Sequence, residues 1–437
     1  MKIAVVGLWH LGTVTAACLA AAGHQVIGVA EDATAAELLN QAELPVSEPG
    51  LKELVQENLR NGHLRFTSDA GEAAGAELVW ITYDTPVDDE DRADADFVLG
   101  KVAALFSYLT GDALVLISSQ IPAGSTRRLE QMYRQACPRG AASFAYSPEN
   151  LRLGQAVAAF KHPERIVAGV RGEKDKARLA QVFAAFTGRV EWMSVESAEM
   201  TKHAVNSFLA TSVAFSNELA ALCERVGADA REVERGLKSE GRIGPRAYVR
   251  AGAAFSGGTL GRDVSYLAEL GRREQLPTPL FSAVQQSNDA HRQWPCRALL
   301  RALGSMTAKK IAVLGLTYKP STNTLRRSDS VALCGWLRQQ GAAVVAFDPA
   351  LAELPAELAF VEFARSGLEA LGGTDAAVLA TEWPEFKQIS AEEVTRRMRA
   401  AVVVDAGGFL QEALGGDERI RYFTVGSPRM SFEAARP

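Results

Sequence analysis

The chain opens the same way twice. MKIAVVGL stands at residues 1–8 and KKIAVLGL at 309–316, each a basic start, a short apolar run rich in β-branched residues, and then a glycine. Such a run reads as a buried strand handing over to a turn. After the first come an apolar helical pattern over 11–22 and the strands QVIGVA, AELVWITY and ALVLISS. After the second come a helical run over 329–339 and the strands AAVVAFDP, DAAVLAT and AVVVDAG. Strands alternating with helical stretches form βαβ units and a parallel sheet. Between the two halves, residues 197–227 lack proline and carry apolar residues at helical spacing, which predicts one long helix.

At 437 residues the chain exceeds one ordinary core. The expected architecture is α/β, with two Rossmann-like domains of parallel sheet joined by a long central helix and a helical middle domain. The expected boundaries are 1–196, 197–300 and 301–437.

Composition narrows the function. A net charge of −5 argues against nucleic acid or an anionic membrane as the main partner. The five cysteines, Cys18, Cys137, Cys223, Cys296 and Cys334, show no CxxC or CxxH spacing, so neither a disulfide framework nor a zinc site is expected. That pattern suits a reduced, cytoplasmic protein. The N-terminus begins as a secretory signal does, but Gly7, His10 and Gly12 break its apolar run and a second strand follows. No other uninterrupted apolar run is long enough to cross a membrane.

Two short stretches suggest sites. Gly7-Leu8-Trp9-His10-Leu11-Gly12 has the spacing of a GxGxxG turn, in which the second glycine lets the backbone approach a pyrophosphate at a helix N-terminus. Trp9 stands at that second glycine. Its indole should fill the pyrophosphate space or push the loop aside, unless it is a packed aromatic of the scaffold. The second stretch, AFSGGTLGRD at 254–263, reads as a tight loop that presents Thr259, flanked by Gly257 and Gly258. No activating base is evident beside that hydroxyl.

The collinear blocks VGLWHLG, EPGLKELVQENLRNGHLRFTSD, SPENLRLGQAV, HPERIVAGV, KHAVNSFLATSVAFSNELAALCE, FSGGTLGRD, GLTYKPSTNTLRRS and TEWPEF resemble the UDP-glucose/GDP-mannose dehydrogenase family over nearly the whole chain. The resemblance implies oxidation of the C6 alcohol of a nucleotide sugar to a carboxylate, with two hydride transfers to NAD. A cysteine thiolate traps the intermediate aldehyde, a thioester follows, and water releases the acid. It places that cysteine at Thr259, and a threonine hydroxyl without a base is a poor nucleophile. Glu149, Lys202, Asn206 and Asp263 match the rest of the catalytic set, and Lys202 and Asn206, four apart, would share a helix face.

The resemblance likewise implies cofactor contacts at Gly7, Trp9, Leu11, Gly12 and Thr85, and substrate contacts at Leu151, Arg152, Gly257, Gly258, Lys319 and Arg326. The aspartate expected to hold the cofactor ribose is replaced by Ala30, with Glu31 one step on; Glu31 serves only if its strand has already ended. Further departures are Gln120 for a threonine, Leu153 for a glutamate, Arg262 for a lysine, and Ser212 where a basic residue is common. Asn323 and Thr324 replace acidic residues, and no arginine follows Asp405 in DAGGF. The expectation is a divergent family member whose full four-electron oxidation is impaired or lost. One reading is a binder of a nucleotide sugar, most readily a UDP-sugar; the other is an NAD-dependent oxidoreductase with altered output. No metal is expected. The resemblance and the length of the central helix imply a homodimer, and the non-catalytic reading implies as a further possibility a heteromer with an active paralogue.

Overall fold

Short strands such as Lys2–Val6 and Leu114–Ile117 are almost wholly apolar, as strands covered on both faces must be. The computed structural model describes residues 1–88, 93–149, 151 and 153–428. The chain divides into two compact units, Met1–Val205 and Asn206–Pro437.

In the N-terminal unit the strands are β1 (Lys2–Val6), β2 (Gln25–Val29), β3 (Leu64–Thr67), β4 (Leu78–Ile81), β5 (Leu114–Ile117), β6 (Ser143–Tyr146), β7 (Ile166–Gly169) and β8 (Val190–Met193). They form one sheet in the order β3-β2-β1-β4-β5-β6-β7-β8. The first six are parallel, and β7 meets β6 antiparallel at Tyr146 and Gly169. The helices are α1 (His10–Ala21), α2 (Ala33–Asn40), α3 (Leu51–Arg60), α4 (Ala95–Ala103), α5 (Ser125–Ala136), α6 (Ala156–Lys161) and α7 (Glu173–Phe183), and the long α8 (Val195–Val226) begins here and continues past the unit's end at Val205. Alternate strand residues face opposite layers: Ile3, Val5, Trp80, Leu114 and Leu116 join one buried cluster, and Ala4, Val6, Val79, Ile81 and Val115 the other.

The C-terminal unit carries α9 (Ala230–Ser239), α10 (Arg262–Arg273), α11 (Pro279–Arg292), α12 (Trp294–Leu303) and α13 (Asp329–Gln339). Its strands are β9 (Lys310–Leu314), β10 (Ala343–Phe347), β11 (Glu362–Phe363), β12 (Ala376–Leu379), β13 (Val402–Asp405) and β14 (Arg421–Phe423), in the order β11-β10-β9-β12-β13-β14. Both sheets therefore follow the doubly wound order, whose crevice lies where the strand order reverses, between β1 and β4 and between β9 and β12.

The echo in the sequence is an echo in space. Gly7 (φ +98°) and Gly315 (φ +91°) each follow the first strand of their sheet. A Cβ on Gly7 would lie 2.7 Å from the Tyr83 nitrogen, and one on Gly315 2.7 Å from the Thr381 nitrogen. Tyr83 and Thr381 hold the same place, two residues past the neighbouring strand. The left-handed φ and the close approach both require glycine. The turns then diverge. Asp348, fully buried after β10, accepts the Leu316 and Thr317 amides at 2.7 and 2.9 Å. A carboxylate of the chain itself thus holds the donors that an anion-binding turn would offer a ligand. The corresponding residue after β2 is Ala30, buried and without such a group.

Candidate active site

The glycine turn of the N-terminal unit keeps its backbone. A Cβ on Gly12 would sit 2.0 Å from the Gly7 carbonyl oxygen and 2.7 Å from Thr82 Oγ1, so close packing dictates this glycine too. Thr82 Oγ1 in turn donates to Gly7 O at 2.9 Å. Trp9 has φ −91° and ψ −142°, outside the left-handed region, and its side chain is 53% exposed. The left-handed conformation that fixes Gly7 is therefore absent at Trp9, and the indole is exposed rather than packed in the core. Leu11 faces the core. β2 ends at Val29, so Glu31 lies past the strand, and it pairs with Lys101 Nζ at 3.1 Å. Thr85 Oγ1 donates to Gln120 O at 2.7 Å, linking the segments that follow β4 and β5. Tyr83, which sequence reasoning missed, lies against Gly7; burial and the Glu31 charge push its hydroxyl up to about 12.

A buried polar stripe on α8 organises the neighbouring loops. Lys202 Nζ donates to the Glu149 carbonyl at 2.6 Å. His203 Nε2 lies 3.2 Å from Ile121 O, so that nitrogen carries the proton. Glu199, fully buried, accepts Gly124 N at 2.6 Å, Thr126 N at 2.8 Å and Thr126 Oγ1 at 2.7 Å at the start of α5, while burial raises its pKa. Neither Glu199 nor His203 was singled out from the sequence. Their helical spacing from Lys202 was a usable signal; their partners, some 75 and 82 positions away, were not. The Glu149 carboxylate accepts the Leu151 amide at 2.5 Å. Glu149 and Leu151 line a cavity of about 380 Å³ with Trp80, Phe160, Phe183 and Phe186. Arg152 lies outside the described residues.

In the C-terminal unit, Gly257–Gly261, expected as a tight loop, form a π-type turn that runs straight into α10. Thr259 is exposed at its centre, and among the described residues nothing hydrogen-bonds its hydroxyl. A Cβ on Gly258 would meet open space. Asn206 Nδ2 donates to Asp263 Oδ2 at 2.5 Å, and both side chains are buried. Lys319 Nζ lies 5.3 Å from the centre of the Tyr318 ring, and Arg326 is exposed, its amide bonded to Thr324 Oγ1. Ser321 and Arg327 flank this loop at φ +64° and +61°. A cavity of about 430 Å³ is bordered by Ser256, Tyr318, Asp329, Ser330, Ala406 and the thiol of Cys296, which burial pushes up to about 11. Beside Asp405, the Gly407 carbonyl accepts Arg250 Nη2 at 3.1 Å, so a guanidinium from another segment borders the place where the expected arginine is missing.

This geometry has close counterparts. The chain is 32% identical to the UDP-glucose 6-dehydrogenase of Rhizobium meliloti (strain 1021), over 98% of this chain and all of that one. It is 33% identical to UDP-glucose 6-dehydrogenase TuaD of Bacillus subtilis (strain 168), covering 95% and 93%. The structure of a UDP-glucose dehydrogenase from Pyrobaculum islandicum superposes with a TM-score of 0.84 at 28% identity, over 98% of each chain. The chain belongs to the UDP-glucose/GDP-mannose dehydrogenase family. The family's NAD binding domain matches residues 1–187, its central domain 196–290 and its UDP binding domain 312–412. Among the described residues, no group of three or more His, Cys, Asp or Glu side chains is placed to hold a metal ion, and no helix is long and apolar enough to cross a membrane. Against the NAD expected of this family, the turn fits in part. Gly7 and Gly12 keep the pyrophosphate-binding backbone, whereas the indole of Trp9 stands where that ligand requires glycine.

Proposed function

We propose that this family member binds a UDP-sugar and does not complete the four-electron oxidation to the uronic acid. The observation that carries this is Thr259, exposed on its turn, with no hydrogen bond reaching its hydroxyl among the described residues. An alcohol in that setting is not activated for attack on an aldehyde. Buried thiols offer no substitute: desolvation pushes Cys18 and Cys334 up to about 12 and Cys296 to about 11, and raises Cys223 as well. Support for the ligand comes from the matched UDP binding domain and from relatives named UDP-glucose 6-dehydrogenase. In this reading Glu149 and Lys202 serve as framework within the N-terminal unit and Asn206 and Asp263 within the C-terminal unit, where Lys319 and Arg326 supply cationic groups for the diphosphate.

A second reading, NAD-dependent oxidation that stops at the aldehyde, draws on the intact glycine geometry and on Glu31 lying past its strand. A homodimer through α8 is part of the proposal, supported by a row of exposed Phe208, Phe215 and Leu222 at seven-residue intervals; pairing with an active paralogue would use the same face. The deciding experiment titrates UDP-glucose calorimetrically and assays acid formation with NAD, comparing wild type with a Trp9→Gly/Thr259→Cys variant. The wild type should bind the sugar nucleotide and yield no acid, and the double variant should gain acid formation. Uronic acid from the wild type would overturn the proposal; aldehyde with one reduced NAD per sugar would establish the second reading.

A further inference from the structure

One buried carboxylate stands between the glycine turn and the loop that carries Glu149 and Leu151. Glu48 precedes α3, and its side chain is 1% exposed. Its Oε2 lies 3.1 Å from His10 Nε2 and accepts the Gly154 amide at 2.9 Å; its Oε1 accepts the Ala156 amide at 2.7 Å. An ionised carboxylate can only accept, and the tautomer that suits this arrangement has His10 Nε2 donating to it. Burying such a group is tolerable only because these donors replace water.

His10 is the first residue of α1, directly after Trp9. Gly154 ends the loop in a left-handed conformation (φ +86°), and Ala156 begins α6. The same loop holds Glu149, whose carbonyl takes Lys202 and whose carboxylate takes the Leu151 amide. We propose that Glu48 and His10 are positioning residues that couple the glycine turn to Gly154 and Ala156, and through them to the segment that presents Glu149 and Leu151. Because three donors share one rigid side chain, His10 cannot move without breaking its bond or dragging the Gly154 and Ala156 amides with it. Whatever occupies or displaces the turn at Trp9 then alters how Glu149 and Leu151 are presented. This last consequence rests on the reading that the loop borders the UDP-sugar.

Hydrogen–deuterium exchange by mass spectrometry on the full chain tests the coupling, with wild type, His10→Phe and His10→Gln compared. His10→Phe leaves Glu48 in place but removes its link to the turn. Peptides containing the Gly154 and Ala156 amides should then exchange about tenfold faster, and peptides from β5 should not change. His10→Gln, whose side-chain amide can donate to the carboxylate, should restore protection. Unchanged exchange at 154–156 in His10→Phe, acceleration that spreads equally to β5, or no rescue by His10→Gln would overturn the coupling. UDP-glucose titration of the same three proteins separates the two readings. Weaker binding in His10→Phe alone supports transmission to the ligand, and equal binding in all three refutes it. Absence of binding in the wild type refutes the UDP-sugar reading, while the exchange data still decide the coupling.

Discussion

Gly12 and Trp9 show opposite ways in which a single residue constrains the turn. At Gly12 the limit is steric: the nearest obstacle to a Cβ is backbone, the Gly7 carbonyl oxygen, which cannot swing aside as a flexible side chain would. Gly12→Ala should therefore destabilise the chain by about 1–3 kcal/mol, read as a lower urea midpoint with an unchanged slope. At Trp9 φ is negative, so the left-handed demand that makes Gly7 a glycine is absent, and the demand for glycine there is that of a closely approaching pyrophosphate. That contrast was half legible in the sequence: the spacing identified all three turn positions, but only the folded structure separates a glycine required by packing from one required for binding. Thr259 follows the same logic, since its identity was readable at once and its exposure on an open turn was not.

α8 carries buried polar groups that tie neighbouring elements of the N-terminal unit together. At its first turn Glu196 accepts from Arg171 at 2.8 Å and Arg127 at 2.9 Å, and Arg171 also bonds Glu130 of α5. These guanidinium bonds, with Arg171 foremost, lower the Glu196 pKa to about 2. A folded-state value depressed below the unfolded one means the group stabilises the fold above the ordinary carboxylate range. That contribution is lost as pH falls from there through about 2. Acid unfolding followed by circular dichroism should show a shallower loss of stability over this window in Glu196→Gln than in wild type. Equal slopes would show that the network contributes nothing to the acid limb. The sequence announced this helix through its period and its lack of proline, and the (i, i+4) relation of Lys202 and Asn206 was arithmetic. Glu199 and His203 escaped notice because a buried Glu or His on a helix has meaning only through its acceptors and donors, and those come from loops far away in the chain.

At the level of the whole molecule, the exposed row on α8 is the feature one chain leaves unsatisfied. Phe208, Phe215 and Leu222 are 70%, 52% and 63% exposed, and Val226, one turn further, 77%. Large apolar side chains repeating every seven residues form the seam of a helix that packs against another helix. Sedimentation equilibrium should find wild type dimeric and Phe215→Glu shifted toward monomer, with its circular dichroism spectrum unchanged because the side chain points into solvent. A monomeric wild type at micromolar concentration would remove the homodimer from the proposal.

Taken by itself, the sequence determined the doubly wound sheets, the long helix and the two glycine turns. All of these follow from local periodicity and from backbone angles that only glycine adopts. The glycine spacing also identified the departure at Trp9, and the family resemblance that at Thr259. Tertiary structure alone decided that β7 turns back against β6, that Asp348 closes the second turn on its own amides, and that Glu31 stands clear of its strand beside Lys101. It alone brought Glu48 to both His10 and the amides of Gly154 and Ala156. The physical reason is common to all of these. A buried charge must find donors or a counter-charge wherever the fold supplies them, and sequence distance carries no record of which group that will be.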